Sequence, residues 1–343
     1  MTPHNGAPLA EIRDLRVQFV SRETTVHAVN GVSFAVRSGE VLCILGESGS
    51  GKSVTLRALM RLLPPQARIE GSVRVGGEDV LSMPAHRLRD LRGGFVSMIF
   101  QEPMTALDPV YTVAQQIGET LRRHTGIGRS AARARALELL ELVHIPSAER
   151  RLDAYPHELS GGLRQRAMIA MALCCNPRLL LADEPTTALD ATVQVQVLIL
   201  LRRLQRELGM GMIFVTHDLG VAAEIADTVA VMYAGRKVEE ASADALFDGP
   251  GHPYTRGLLG SLPNLETAAR NNTRRARLNE IKGMVPSLAN LPQGCSFAPR
   301  CPRRMPACRQ AVPEPRFPEP GRMAACLAVP TLTARHVEQG ACR

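Results

Sequence analysis

Short apolar and alternating segments divide most of the chain into strands and helices. Residues 11–20 and 31–36 alternate apolar and polar positions and are rich in β-branched side chains, which predicts strands with one exposed face. Residues 41–45 form a continuous apolar run, typical of a strand that is buried on both faces. Further strands are predicted at 71–75, 95–100, 179–182, 212–216 and 228–233, and helices at 129–143, 161–175, 192–208 and 219–226. This alternation predicts an α/β fold with a mostly parallel sheet.

The alternation is interrupted between residues 102 and 175, where the pattern is largely helical. We therefore predict a first domain over residues 1–258 that carries an inserted helical subdomain at about 102–175. The composition changes near residue 259, because the remaining 85 residues hold 11 of the 24 prolines and five of the eight cysteines. Residues 259–343 are predicted to form a loop-rich C-terminal extension that contains these cysteines.

The net charge of +8 on 343 residues belongs to this extension, which has 13 basic and 5 acidic side chains. Residues 1–258 carry as many acidic as basic side chains, and such a neutral domain argues against nucleic acid as a partner. No apolar run approaches the roughly 20 residues that a membrane span needs. Residues 1–10 lack the basic and apolar regions of a signal peptide. We expect a cytosolic chain whose thiols are reduced.

Residues 46–53 fit the phosphate-loop pattern G-x-x-x-x-G-K-[ST] without a mismatch, between a buried strand and a helix. In that setting the backbone N–H groups of the loop converge on phosphate oxygens. Lys52 is predicted to contact the β- and γ-phosphates, and the Ser53 hydroxyl to bind Mg²⁺. The predicted phosphate-binding residues are Gly46, Glu47, Ser48, Gly49, Ser50, Gly51, Lys52 and Ser53. The motif alone fits a kinase, a GTPase or an ATPase.

Two carboxylates follow the apolar strand at 179–182. A parallel strand presents the side chains at its carboxyl end to the ligand in open α/β sheets. Asp183 is predicted to hold the Mg²⁺ ion, and Glu184 to polarise a water molecule for attack on the γ-phosphate.

Residues 159–166, Leu-Ser-Gly-Gly-Leu-Arg-Gln-Arg, resemble the signature motif of the ATP-binding cassette (ABC) family, with Leu163 where the family usually has glutamine. The resemblance implies a P-loop ATPase in which two cassettes close head to tail around two ATP molecules. In such a pair, Ser160, Gly161 and Gly162 face the γ-phosphate that is bound by the partner.

The same resemblance assigns further residues. Gln101 matches the glutamine that senses the metal ion and the attacking water, and His217 matches the histidine that contacts the γ-phosphate. Asp190 ends the D-loop at residues 188–190. Phe19 is expected to stack on adenine, with an ordinary core phenylalanine as the alternative.

Residues 101–109, 251–259, 281–288 and 294–301 resemble the ATPases of dipeptide and oligopeptide importers. This resemblance implies a motor on the cytoplasmic face of the bacterial inner membrane that docks on two transmembrane permease subunits through residues 101–113. It also implies a second ABC ATPase subunit, usually a paralogue, and an extracytoplasmic peptide-binding protein. The alternatives are a nickel or glutathione importer ATPase and a soluble cassette ATPase acting on nucleic acid or ribosomes.

Four cysteines of the extension suggest one shared metal centre, since soft thiolates are close together in a short proline-rich segment. They are Cys295, Cys301, Cys308 and Cys326. Their spacing lacks the C-x₂₋₄-C of structural zinc sites, whereas iron–sulfur clusters tolerate wider spacings. The importer ATPases that the extension resembles include members with a [4Fe–4S] cluster, so we expect that cluster, with Zn²⁺ or metal-free thiols as alternatives. The neighbouring arginines are expected to lower the pKa of these thiols and to offset the cluster charge; they are Arg300, Arg303, Arg304 and Arg309.

Overall fold

Two β-sheets carry the fold in the computed structural model, which describes residues 6–187, 189–261 and 280–330. The smaller sheet is antiparallel and contains β1 (Ala10–Val20), β2 (Thr25–Val36), β4 (Ala67–Val75) and β5 (Glu78–Asp79). Its strand order is β2-β1-β4-β5, so β2 lies at an edge of this sheet. β2 begins six residues before the predicted strand, because irregular pairing with β1 breaks the strict alternation there.

The larger sheet has a parallel centre. Its strands are β3 (Val41–Leu45), β6 (Val96–Ile99), β7 (Leu179–Asp183), β8 (Gly211–Thr216), β9 (Thr228–Tyr233), β10 (Arg236–Ser242), β11 (Arg316–Glu319) and β12 (Arg322–Ala324). Among the described residues the order is β11-β12-β10-β9-β3-β8-β7-β6. Strands β9, β3, β8, β7 and β6 run parallel, and β10 to β12 are antiparallel additions. The predicted α/β fold with a mostly parallel sheet is confirmed.

The helices α1 (Lys52–Leu59), α2 (Ala85–Gly94), α8 (Ala191–Leu208), α9 (Leu219–Ile225), α10 (Ala243–Asp248) and α11 (Pro253–Gly260) accompany these strands. Between β6 and β7 lie α3 (Pro103–Ala106), α4 (Val113–Thr125), α5 (Arg129–Leu142), α6 (Ala148–Arg151), a 3₁₀ turn (Pro156–Glu158) and α7 (Gly161–Leu173). This is the helical insertion that the sequence predicts. No helix in the described ranges is long and apolar enough to cross a membrane.

Strand β3 explains how the core is organised. Val41, Cys43 and Leu45 face one apolar cluster, together with the inserted helices and α8. Leu42 and Ile44 face a second cluster, formed with the smaller sheet and α1. Because both faces are buried, β3 is held firmly and fixes the position of the loop that follows it.

The C-terminal extension is continuous with this core over residues 280–330. β12 pairs with β10, and β11 pairs with β12, so the extension adds two strands to the edge of the larger sheet. Phe297 is 2% exposed and packs on the rings of Tyr233 and Tyr254. Apart from these strands and a 3₁₀ turn (Pro306–Arg309), the described part of the extension is irregular.

Candidate functional site

The loop at 46–51 connects β3 to α1, and two of its glycines are required by close packing. A Cβ atom on Gly46 would overlap the carbonyl oxygen of Met232, and one on Gly51 would overlap that of Ala28. Gly51 also has φ +97° and is the N-cap of α1, a backbone conformation that favours glycine. These approaches bend the loop around the N-terminal end of α1, where a helix attracts anions.

Lys52 is 4% exposed and lies across the inside of the loop. Its Nζ donates to the carbonyl oxygens of Gly46 at 2.8 Å and Glu47 at 3.1 Å, and lies 3.8 Å from Oε1 of Glu184. Burial lowers the pKa of Lys52, and the nearby Glu184 and Asp183 carboxylates oppose that shift. The ammonium group is therefore held at the loop, beside negative charge.

Ser50 and Ser53 present hydroxyl groups to the same region. Ser50 is 1% exposed, and its Oγ has no hydrogen-bond partner among the described residues. Ser53 Oγ donates to Oδ1 of Asp183 at 2.7 Å. Burial raises the pKa of Asp183, and the Ser53 hydrogen bond opposes this. Hydroxyl and carboxylate oxygens are ligands that Mg²⁺ accepts, so Ser53 and Asp183 fit the magnesium ion that the sequence implies.

Glu184 gathers three side chains at the carboxyl end of β7. Its Oε2 accepts hydrogen bonds from Thr187 Oγ1 at 3.0 Å and Gln101 Nε2 at 3.3 Å, and lies 3.2 Å from His217 Nδ1. Glu184 has φ +46°, a conformation that costs a non-glycine residue about 1–3 kcal/mol and is common at functional sites. The strand therefore ends with its carboxylate directed at a shared polar centre.

Residues 46–53, Gln101, Glu184, Thr187 and His217 line one cavity of about 690 Å³, which is within the usual range of small-molecule sites. Asp183 is outside this lining and is connected to it by the hydrogen bond from Ser53. The lining consists of Ala28, Gly46, Glu47, Ser48, Gly49, Ser50, Gly51, Lys52, Ser53, Val54, Gln101, Glu184, Thr187, His217, Leu258 and Leu288. The structure thus brings the predicted phosphate loop together with Gln101, Glu184 and His217, although these segments are far apart in sequence.

Two predicted elements lie outside this lining, residues 160–162 of the signature motif and Asp190 of the D-loop. Ser160 is the N-cap of α7, and its Oγ accepts from Leu163 N at 3.4 Å. Ser160 and Gly161 are exposed at the start of that helix, and Gly162 is half-buried. Asp190 caps α8 in the same way, accepting from Val193 N at 3.0 Å. Residue 188 of the predicted D-loop lies outside the described residues.

Phe19 also lies outside the cavity lining. It is half-buried at the end of β1 and packs against the apolar cluster of the smaller sheet. Its stacking on adenine stays a prediction.

Several residues of the site could not be predicted from the sequence. Thr187 donates a hydrogen bond to Glu184. Leu258 and Leu288 close one wall of the cavity. Tyr254 OH accepts from Glu47 N at 3.0 Å. Residues 251–259 were notable only for a family resemblance, which did not indicate that Tyr254 holds the phosphate loop. Contacts of this kind depend on tertiary packing rather than on local pattern.

The thiols of Cys295 and Cys301 each interact electrostatically with those of Cys308 and Cys326. Among the described residues, however, no group of three or more His, Cys, Asp or Glu side chains is arranged to hold a metal ion. Burial raises the pKa of Cys295 and Cys301, and for Cys301 it outweighs the opposing effect of Arg303. The expected effect of a neighbouring arginine is present at Cys301, where Arg303 lowers the pKa, but burial is the larger effect and the net shift of both thiols is upward.

Comparisons with known proteins agree with this geometry. Residues 29–187 match the ABC transporter family, and residues 238–308 match the oligopeptide/dipeptide transporter C-terminal region. The oligopeptide transport ATP-binding protein OppD of Salmonella typhimurium is 48% identical over 324 residues, which cover 94% of this chain and 95% of that protein. The dipeptide transport ATP-binding protein DppD of Bacillus subtilis is 48% identical over 304 residues, covering 88% and 89%.

A solved structure shares the fold. The dimeric ATP-binding cassette MJ0796, in a post-hydrolysis state bound to ADP and phosphate, superimposes with a TM-score of 0.62 at 29% identity. The match covers 68% of this chain and 98% of that one. From the fold, the cavity and these relatives together, we conclude that the chain belongs to the ABC transporter family, among the ATP-hydrolysing subunits of its oligopeptide and dipeptide branch.

Proposed function

We propose that this chain drives a bacterial importer of dipeptides or oligopeptides by binding and hydrolysing ATP. The observation that carries the proposal is the combination of a phosphate-loop cavity with a region at 238–308 that matches the oligopeptide/dipeptide transporter C-terminal family. Transport of nickel or glutathione is the alternative cargo within the same branch.

In the proposed mechanism, the side chains and loop N–H groups position the reacting groups and stabilise the charge of the phosphates. Loop N–H groups, Lys52 and the Ser50 hydroxyl bind the β- and γ-phosphates, and that hydroxyl has no other partner in the part of the chain that the structure describes. Glu184 orients and polarises a water molecule. His217 and Gln101 contact the Glu184 carboxylate and keep it aligned with the γ-phosphate. Bound at Ser53, Asp183 and Gln101, Mg²⁺ would neutralise phosphate charge.

A second ABC ATPase subunit is part of the proposal. Ser160, Gly161, Gly162 and Asp190 lie outside the cavity of their own chain, and a partner cassette would receive the exposed start of α7. A helix N-terminus provides N–H groups and a positive dipole end for a γ-phosphate. We propose a paralogue as that partner, and Phe19 as the residue that stacks on adenine.

Docking on two membrane permeases is proposed for the face around α3 and α4. Met104, Val110 and Tyr111 are 47%, 69% and 50% exposed there. Beside them lies a groove of about 510 Å³ lined by residues of α4 and α5. Exposed apolar side chains next to a groove are typical of a protein interaction site. This docking would place the chain on the cytoplasmic face of the inner membrane, with the peptide-binding protein on the other side.

The test is purification of the tagged chain from detergent-solubilised membranes, followed by uptake assays in cells that lack its gene. We expect two multi-span permeases and a second cassette to co-purify, and uptake of a labelled tripeptide to require the chain. If nickel or glutathione uptake is lost while peptide uptake persists, the alternative cargo is correct. If ribosomal or nucleic-acid components co-purify without permeases, the transport proposal is wrong.

For the extension we propose a [4Fe–4S] cluster on Cys295, Cys301, Cys308 and Cys326. The support is the electrostatic interaction of the Cys295 and Cys301 thiols with those of Cys308 and Cys326, in a segment with few regular elements to hold it together. We also propose that the chain divides into a cassette at 1–258, with its helical subdomain at about 102–175, and an extension at 259–343.

Anaerobic purification tests the cluster directly. We expect about four iron and four sulfide per chain, with broad visible absorption that is lost in Cys301→Ser and kept in the control Cys174→Ser. Stoichiometric zinc would favour the alternative site, and a colourless chain free of iron and zinc would show that the thiols bind no metal.

A further inference from the structure

The C-terminal extension reaches the phosphate loop through Arg300. Its Nη1 donates to both carboxylate oxygens of Glu47, at 3.1 and 3.0 Å, and to Tyr233 OH at 3.3 Å. Its Nη2 donates to the carbonyl oxygen of Ile281 at 3.0 Å. The Arg300 side chain is only 7% exposed and that of Glu47 is 26% exposed, so this is a largely buried ion pair.

Glu47 is thereby held at three points. Tyr254 OH accepts from its backbone N–H, Lys52 Nζ donates to its carbonyl oxygen, and Arg300 binds its carboxylate. The ring of Tyr254 packs, tilted, against that of Tyr233 with the ring centroids 4.6 Å apart, and the Arg300 guanidinium lies over the Tyr233 ring. The second residue of the phosphate loop is thus anchored by α11 and by the extension.

The charge of Glu47 also acts at the phosphate-binding lysine. The Glu47 carboxylate is close enough to Lys52 to interact with it electrostatically. An unpaired carboxylate at this position would repel the phosphates of ATP across a partly buried, low-dielectric region. Arg300 supplies the opposite charge at hydrogen-bond distance.

A second contact brings the extension to the cavity wall. The backbone N–H of His27, in the edge strand β2, donates to the carbonyl oxygen of Leu288 at 2.9 Å. The side chain of Leu288 lines the nucleotide cavity beside Ala28 and Leu258. The extension therefore closes part of the cavity as well as holding its phosphate loop.

We propose that Arg300 is a positioning residue of the nucleotide site, which neutralises Glu47 and fixes the phosphate loop so that ATP binds with full affinity. The proposal rests on the nucleotide site proposed above and deepens it. The extension then has a defined part in ATP binding, independent of any metal that its cysteines hold.

Isothermal titration of ATP with Mg²⁺ into the full chain tests this role. Arg300→Gln removes the charge and should raise the Kd for ATP about tenfold, because a charge-assisted buried pair is lost. Arg300→Lys keeps the charge and should bind ATP within about threefold of the wild type. Arg304 is an exposed arginine of the same segment, so Arg304→Gln is the matched control and should leave the Kd unchanged.

The double variant Glu47→Gln/Arg300→Gln distinguishes charge from folding. If the unpaired carboxylate causes the loss, removing it should return the Kd to within about twofold of Glu47→Gln alone, which a merely structural role of Arg300 would not do. A lower melting temperature of nucleotide-free Arg300→Gln with an unchanged Kd would overturn the inference, as would equal losses in Arg300→Gln and Arg300→Lys.

Lys52→Ala separates this inference from the site on which it rests. Normal ATP affinity in Lys52→Ala would show that the proposed nucleotide site is wrong. Lost affinity in Lys52→Ala together with wild-type affinity in Arg300→Gln would overturn only the role of Arg300.

Discussion

At the scale of single residues, Glu184 is the residue at which the polar side chains of the site meet. Its carboxylate contacts Gln101, Thr187 and His217 and lies beside Lys52, and its backbone adopts a positive φ. Such strain is maintained only where surrounding contacts determine the conformation. This geometry supports the proposed role of Glu184, which is to position a water molecule next to the phosphate loop.

Replacing Glu184 by glutamine should separate binding from turnover. Glu184→Gln keeps the size of the side chain and one acceptor oxygen but loses the negative charge that polarises water. We therefore expect ATP affinity within about threefold of wild type and a hydrolysis rate lowered about 10²–10⁴-fold. Phosphate release and ATP titration measure the two quantities. Glu224→Gln, at an exposed position of α9, is the control, and hydrolysis at the wild-type rate in Glu184→Gln would refute the assigned role.

Residues that belong to a local motif could be located from the sequence, whereas residues that join it from elsewhere could not. The loop 46–53 and Asp183 follow directly from strand and glycine patterns. Tyr254 and Arg300 contact Glu47 from 207 and 253 positions away, and the sequence offers no periodicity that links them. Arg300 was assigned to the neighbouring cysteines, but its guanidinium is bound to Glu47 and Tyr233 instead.

At the scale of elements, strongly patterned segments were predicted closely. β3 and β9 match their predicted bounds, and α5 and α8 match within one residue at each end. Elements of weaker pattern, such as β5 with two residues and β12 with three, were not predicted. These short strands form because an existing sheet edge provides hydrogen-bond partners, which is a tertiary effect.

The start of α11 contains a buried histidine that should make stability depend on pH. His252 is 1% exposed, its Nδ1 accepts from Tyr254 N at 3.1 Å, and burial lowers its pKa to about 4. Because the unfolded chain binds this proton more readily, with a pKa near 6.5, stability falls as the pH drops from about 6.5 towards 4. Between about pH 7 and pH 5 this amounts to about 2 kcal/mol.

Urea unfolding at these two pH values checks the prediction. His252→Asn keeps an acceptor for the N-cap hydrogen bond but does not titrate, so its loss of stability at the lower pH should be smaller than that of the wild type by the same amount. His86→Asn, at an exposed position, should behave like the wild type. An unchanged pH dependence in His252→Asn would contradict the argument.

At the scale of the whole molecule, the described extension is part of the cassette rather than an appendage to it. β12 extends the larger sheet at β10, Phe297 packs into the core, and Leu288 reaches the cavity wall. The composition change near residue 259 indicated a separate segment, but composition does not report where a segment packs. Part of the basic charge of the extension is neutralised within the molecule, because Arg300 pairs with Glu47.

The face around α3 and α4 offers the proposed permease contact. Tyr111→Asp places a charge on the exposed apolar face before α4, so we expect it to abolish co-purification of the permeases while basal ATP hydrolysis by the isolated chain stays unchanged. Met284→Asp is the matched control, since Met284 is 89% exposed but lies in the extension. Permease co-purification that survives in Tyr111→Asp would place the contact elsewhere.

The pair between Glu47 and Arg300 also sets an order of events during synthesis. The two residues are separated by 253 positions, and a ribosome adds about 5–20 residues per second. A nascent chain therefore exposes its phosphate loop for roughly 10–50 seconds before the arginine that completes it has been made. With the role proposed above for Arg300, a cassette whose translation stops before residue 300 binds ATP less tightly than the finished chain and competes poorly for cellular ATP.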